Sequence, residues 1–518
     1  MSYPLRLLAL ALLAVTPALT RAADPAPVYA SPAFADADRL RRVQELLPEI
    51  DRAFAEHAAA RHLPGVAYGI VLDGQLVHSR ALGFANVDQK IPAAPDTRFR
   101  IASMTKSFTA LAILKLRDSG RLTLSDPVDR YVPEFRTLAL PTADSPPITL
   151  RHLLTMSAGF PEDNPWGDRQ LAVTVEGLQN FLRAGLSFSE APGLAYEYSN
   201  LGFAVLGQVI TRLAKEPYQR YITREFLVPL GMNDTRWEYS EVPPEKLALG
   251  YRWENDTWRP EPLLHDGTYG AMGGLLTTID DFARYAAFHL AAWPPRDDTD
   301  RGPVRRATLR EMQQPSVVSS VVADAKNSAG EIVPAVSGYG FGLRWTMDAR
   351  STVRFGHSGG LPGFGSNWLC YPAHGLAIIS FANVTYAPMS SLNARLAALL
   401  VEKGALPPRT RPVSAILAQR QSQLVETLTA WDTKPGDAIF AENFFLDRSR
   451  EAWIKLAHDT LARAGRITGT SPLVPENQLR GTFSLLGETG RVEVFFTLTP
   501  AAVPLVQELR LTYVADKK

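Results

Sequence analysis

The chain has 518 residues, 46% of them hydrophobic, which is enough to bury a large core and more chain than one compact domain ordinarily holds. Lys and Arg number 54 against 53 Asp and Glu, a formal charge of +1, so no global field draws the protein to nucleic acid or to an anionic membrane surface. No nucleic-acid partner is therefore expected, and the balance suits a small-molecule or peptide substrate.

The N-terminus carries Arg6, an apolar run from Leu7 to Leu19, and then Thr20-Arg-Ala-Ala23. The run is shorter than the roughly 20 residues of a membrane-spanning helix, and small residues follow where a signal peptidase cuts. Residues 1–23 are therefore expected to be a signal peptide, leaving a secreted or periplasmic chain with no stable membrane span after cleavage. Cys370 is the sole cysteine, so no intramolecular disulfide forms; its apolar Trp-Leu-Cys-Tyr setting reads as an inert core thiol.

Apolar residues at helical spacing (Leu40, Val43, Leu47, Ile50, Phe54) predict a helix over Arg39 to Ala60. Val66–Leu72 and Gln75–Leu82 are strand-like runs joined by Asp73-Gly74, a hairpin signal. A helical pattern runs from Ser103 to Ser119 and stops at Gly120, which places Ser103 at a helix N-terminus. The middle of the chain is mostly helical, over 148–156, 175–184, 201–214 and 279–290. Strands return over 340–347, 352–359, 366–371 and 376–383, and a helix over 390–403 closes the region. Strands from both ends with helices between them predict an α+β fold: an antiparallel sheet flanked by helices, with a helical subdomain. Gly404 to Pro412 contains three prolines and reads as a linker. Helices over 414–431 and 448–464 and strands over 478–486, 491–499 and 506–514 follow. The expected domains are thus 35–403 and a small C-terminal α+β domain, 413–518, to which no chemistry is assigned. No pattern in the sequence specifies an oligomeric state.

Three constellations carry chemistry. Ser103-Met-Thr-Lys106 puts an ammonium beside a hydroxyl on one helical face, and a desolvated lysine activates serine as a nucleophile. Of the eleven lysines only Lys106 has serine three residues before it. Tyr198-Ser-Asn200 sets a phenol for proton transfer and an amide for a substrate carbonyl at i and i+2. In Arg354-Phe-Gly-His357-Ser358-Gly359-Gly360 a polar side chain interrupts a strand that runs out through glycines. Those glycines let a substrate backbone approach, and the Gly360 N–H is a candidate oxyanion donor. His265-Asp-Gly267 repeats the His-x-Gly triplet, but in a loop without strand character.

In this order and spacing, Ser-x-x-Lys, Tyr-x-Asn and His-x-Gly resemble the serine β-lactamase and penicillin-binding superfamily. The likeness is strongest to the class C β-lactamase-like branch, with its D-alanyl-D-alanine carboxypeptidases, D-aminopeptidases and esterases. Leu124-Ser-Asp-Pro-Val-Asp-Arg-Tyr-Val-Pro133, Ile148 to Leu154, Gly159-Phe-Pro and Tyr198 to Gly207 add to the likeness, which spans residues 35 to 403. It implies that Ser103 attacks a carbonyl, that Lys106 and Tyr198 share the proton transfers, and that the N–H groups of Ser103 and Gly360 hold the oxyanion. Asn200, His357, Ser358, Gly359 and Gly360 would form the substrate-binding set, with Asn200 orienting the substrate amide or ester. Which of Lys106 and Tyr198 is the base stays open. Class C β-lactamases carry lysine where His357 stands. Histidine is mostly neutral near pH 7, so carboxylate recognition is weakened unless an arginine such as Arg344 or Arg354 supplies it, and peptidase or esterase activity is favoured over cephalosporin hydrolysis.

Two other readings compete. Gly356-His-Ser358-Gly-Gly360 fits a Gly-x-Ser-x-Gly nucleophile elbow, although Leu361-Pro-Gly-Phe-Gly365 cannot start the helix such an elbow requires. A non-catalytic sensor that is acylated without turnover is the other. No metal or other cofactor is expected, because the nine histidines are scattered and none forms a ligand pair.

Overall fold

A computed structural model describes residues 29, 31–325, 331–431 and 436–516; the expected signal peptide lies outside them. The chain divides into two compact units, one spanning Phe34–Arg409 and the other containing Thr410 onward, with Ala33 bridged to Thr410. Among the described residues no helix is long and apolar enough to cross a membrane.

The larger unit opens with α1 (Arg39–Ala60) and the hairpin β1 (Gly65–Leu72) and β2 (Gln75–Asn86). Asp73 and Gly74 both take positive φ, 51° and 82°, the pair of left-handed residues that the tight hairpin predicted there requires. Then come β3 (Ile91–Pro92), α2 (Lys106–Asp118), α3 (Asn200–Ala214) and α4 (Ile279–Leu290). The strands β4 (Val317–Val322), β5 (Ala335–Tyr339), β6 (Arg344–Asp348), β7 (Val353–Leu361), β8 (Phe364–Tyr371) and β9 (Leu376–Ala382) follow, and then α5 (Met389–Glu402). The nine strands form one antiparallel sheet in the order β3-β2-β1-β9-β8-β7-β6-β5-β4. The strand expected over 340–347 begins only at Arg344, because residues 340–343 form a turn through Gly342 (φ 67°), where a β-carbon would come within 2.8 Å of the Lys106 carbonyl oxygen.

The interior strand β1 is buried along its whole length, and its side chains alternate between two cores. Val66, Tyr68 and Ile70 pack with Val43, Ile50 and Phe54 of α1 and Leu392 and Leu396 of α5. Ala67 and Val71 join the larger core of Phe108 and Leu111 from α2, Val205 and Val209 from α3, and Phe282 from α4. The sheet is therefore sandwiched between α1 with α5 and the helical subdomain, and the three constellations gather on the second side.

Gly404 to Arg409, expected as linker, belong to the larger unit. Leu406 is buried, Arg42 Nε donates to the Gly404 carbonyl at 2.9 Å, and the Arg409 N–H to Ala373 at 2.8 Å. The smaller unit contains α6 (Ala415–Ala430) and α7 (Arg450–Ala464), then β10 (Ile467–Thr470), β11 (Val474–Asn477), β12 (Arg480–Gly487), β13 (Gly490–Leu498) and β14 (Val506–Ala515). The sheet order is β10-β12-β13-β14, with β11 also on β12. Val492, Val494, Phe496 and Leu498 alternate onto Leu417, Leu424 and Ala457 of its helices, the period-two pattern read from sequence.

Candidate active site

Ser103, the expected nucleophile, sits in a tight turn. Phe99–Arg100 pairs with Leu276–Thr277, Ala102 then takes a left-handed backbone (φ 51°), and Ala102–Thr105 form a 3-10 turn running into α2. A 3-10 turn has about three residues per turn and eclipses positions i and i+3. Ser103 and Lys106 therefore share one side, and Lys106 Nζ donates to Ser103 Oγ at 3.0 Å. The other two ammonium donors reach Asn200 Oδ1 at 2.7 Å and the Met272 carbonyl at 3.1 Å. Lys106 is fully buried; burial pushes its pKa down to about 7, against the opposing pull of Asp168 and Asp163 and with help from Arg344.

Tyr198 lies in the extended entry to α3, whose N-cap is Ser199. Its ring centroid is 4.9 Å from Lys106 Nζ and 5.4 Å from the Arg344 guanidinium. Burial raises its pKa, opposed by a hydrogen bond with Ser103 and by Arg344, so the phenol is protonated near neutrality. Asn200, the first residue of α3, has its Oδ1 on Lys106 and its Nδ2 toward Asp168 Oδ1 at 3.4 Å. The amide expected to orient substrate is thus occupied in holding the lysine.

His357 faces the same cavity side, 6.1 Å from Tyr198 between ring centroids. Its Nδ1 donates to the Ser358 carbonyl, which fixes the tautomer, and Nε2 accepts from Tyr339 Oη at 2.9 Å. Burial, then Arg344 and Lys106, push its pKa well below the usual range, so the imidazole is neutral.

The glycines after it divide by role. A β-carbon on Gly359 would sit 2.1 Å from the Ile101 carbonyl oxygen, and Ser366 Oγ donates to that same oxygen at 2.7 Å. Gly359 thus lets β7 close on the nucleophile turn. Pairing of β6 with β7 ends at Arg344–Gly356, and among the described residues no strand covers that edge of β7 from His357 onward. Gly360 lies on this open edge beneath the ring of Tyr386. Ser358 does not join the site. Strand alternation turns it to the opposite face, where its Oγ accepts from Asn367 Nδ2 at 3.0 Å, and Asn367 in turn bonds Asn393 of α5. β7 runs antiparallel into β8 through a short turn, so no nucleophile elbow forms at Ser358. Arg354 is likewise remote, in a cavity with Tyr371, Ser391 and Arg395, and His265 is on a loop, 2.9 Å from Glu238.

Sequence reasoning did not find Asp163, Asp168, Met272, Tyr339 or Tyr386. Asp163 accepts from the N–H groups of Asn200 and Leu201 at 2.7 and 2.8 Å, an anion at the positive end of α3. Asp168 is buried between Asn200 and Tyr386, and burial raises its pKa to about 6 although Lys106 pulls it back. No local pattern announces these residues; they arrive from distant parts of the chain.

The chain matches the Beta-lactamase family over residues 50–402. It belongs to that family. Among relatives of this beta-lactamase-family chain, Protein flp of Staphylococcus aureus (strain N315) is 31% identical over 349 residues, 66% of this chain and 64% of the relative. The chain thus spans somewhat less than two thirds of that relative's length. Esterase EstB of Burkholderia gladioli is 30% identical over 373 residues, covering 67% of this chain and 92% of the esterase. The octameric penicillin-binding protein homologue from Pyrococcus abyssi shares the fold at TM-score 0.59 and 23% identity, covering 90% of this chain and 99% of that one. EstCE1, a hydrolase with promiscuous acyltransferase activity, does so at TM-score 0.54 and 22% identity, covering 69% and 99%.

Proposed function

We propose that the protein is an exported serine hydrolase that cleaves ester or amide bonds through an acyl-Ser103 intermediate. The observation that carries this reading is Lys106: a fully buried ammonium 3.0 Å from Ser103 Oγ whose pKa is brought down to about 7. A lysine so tuned is partly neutral at working pH and accepts the serine proton as Oγ attacks. The oxyanion then rests on the N–H groups of Ser103 and Gly360. As the intermediate collapses, the leaving group departs with a proton relayed from Lys106 through the Tyr198 hydroxyl. Water attacks the acyl-enzyme, its proton passes by the same groups to Ser103 Oγ, and the acid is released.

A neutral, doubly hydrogen-bonded His357 supplies no cation for a substrate carboxylate, whereas the guanidinium of Arg344 stands over Tyr198. Substrates are accordingly small esters or peptides, including D-amino-acid peptides with an anionic end, in preference to cephalosporins. The kinship to EstB supports the ester arm. Assay of the purified protein against p-nitrophenyl esters, D-alanyl-D-alanine peptides, D-amino-acid p-nitroanilides and nitrocefin tests the reading. Steady turnover of an ester or D-peptide, lost in Ser103→Ala, is expected; a single burst without turnover would favour an acylated sensor.

A further inference from the structure

Tyr386 belongs to none of the three constellations, yet it stands at the site. It follows β9 in the turn leading to α5 and adopts a left-handed backbone, φ 53°, which a residue with a β-carbon takes only where its surroundings impose it. The turn is stapled. Asn383, fully buried, donates through Nδ2 to the carbonyls of Phe84, Ala85 and Leu249 at 3.1, 3.3 and 3.0 Å. Thr385 Oγ1 accepts from the Gly363 N–H at 2.8 Å, and the Tyr386 N–H donates to Phe364 at 3.1 Å.

So held, the Tyr386 ring lies against Gly360, where an added β-carbon would be 2.7 Å from its Cδ1. The phenol donates to Asp168 Oδ2 at 2.9 Å, on the turn that also meets Asn200. The residue is nevertheless 43% exposed, so it is a wall facing solvent and not a core ring.

We propose that Tyr386, clasped to Asp168, is a specificity-determining residue: an aromatic wall beside Gly360 that limits the bulk of the groups flanking the scissile carbonyl. The proposal rests on Ser103 and Gly360 acting as described above. A ring fixed at its backbone by the stapled turn and at its far end by a carboxylate cannot swing aside for a larger substituent. A substrate held on the open edge of β7 meets it directly.

The test is kcat and KM for two ester series, p-nitrophenyl acetate, butyrate and octanoate for the acyl side, and methyl, butyl and octyl acetates for the leaving group. Tyr386→Ala is expected to raise the long-to-short ratio of kcat/KM about tenfold in at least one series. The change should lie mainly in KM, and Tyr386→Phe, which keeps the ring and loses the clasp, should fall between the two. Ratios within about twofold of the parent in both series, in a variant with unchanged circular dichroism and melting, overturn the proposal. Should Tyr386→Ala not fold, Tyr386→Trp must lower the ratio, and an unchanged ratio overturns it equally. Ser103→Ala tests the underlying reading separately, since it must abolish hydrolysis of every ester whatever the ratios.

Discussion

The two faces of β7 treat neighbouring residues in opposite ways. On one, His357 and Gly359 meet the nucleophile turn, Tyr198 and Tyr339; on the other, Ser358 meets Asn367 and, through it, α5. One residue of separation in the chain becomes the thickness of a sheet, because successive strand side chains point to opposite faces. Within Gly356-His-Ser358-Gly-Gly360 the serine packs on the far face and Gly359 and Gly360 border the site, which inverts the elbow reading of the same five residues.

Exchanging the serines on the two faces tests this most severely. Ser103→Ala should abolish labelling by a fluorescent fluorophosphonate and lower kcat/KM by about 10⁴-fold or more, whereas Ser358→Ala should keep the label and stay within about threefold of the parent. Labelling that survives in Ser103→Ala and vanishes in Ser358→Ala would reverse the assignment. Removing the proposed base comes next: Lys106→Ala should cost about 10³-fold in kcat with the fold retained by circular dichroism. The glycine that abuts the turn is third. Gly359→Ala drives a methyl to 2.1 Å from the Ile101 carbonyl, so the turn must shift, with about 10²-fold lost in kcat/KM and roughly 1–3 kcal/mol in stability by denaturant melts. Ser358→Ala, which gives up one hydrogen bond from Asn367, should cost about 1 kcal/mol.

The smallest effect is on pH dependence. With Lys106 near 7, kcat/KM should rise as pH increases through about 7, where the lysine loses its proton. The Asp168 carboxylate favours the ammonium, so Asp168→Asn should move that limb to lower pH, by about one unit. A limb that moves upward would exclude Lys106 as the group titrating.

Much of this was legible from local pattern. Helix α1 runs over the residues its apolar spacing marks, the Asp73-Gly74 turn makes the hairpin expected of it, and Ser103 opens a helical segment. β4 was not legible: Val-Val-Ser-Ser-Val-Val lacks alternation and lies at the sheet edge with Val318 and Val321 exposed. Nor was the extent of the linker, since three prolines stop a helix but do not prevent Leu406 from packing. Of the expected binding set, His357, Gly359 and Gly360 meet the nucleophile turn or its walls, Asn200 holds the lysine, and Ser358 faces away. The residues that surround Lys106 and Gly360 without belonging to a motif, Asp168 and Tyr386, were invisible because their partners are brought together only by the folded chain.

By itself the sequence determined the nucleophile candidate and its lysine, because a spacing of three is a short-range fact that a helical turn turns directly into contact. It likewise determined the order of the motifs and the strand that carries His357. Protonation was decided only by the tertiary structure: desolvation lowers the pKa of Lys106 and of His357, and burial is not written in three adjacent letters. The placement of Ser103 beside Lys106 and of Ser358 on the opposite face was fixed there too, by which face of β7 the Ser103 turn packs against.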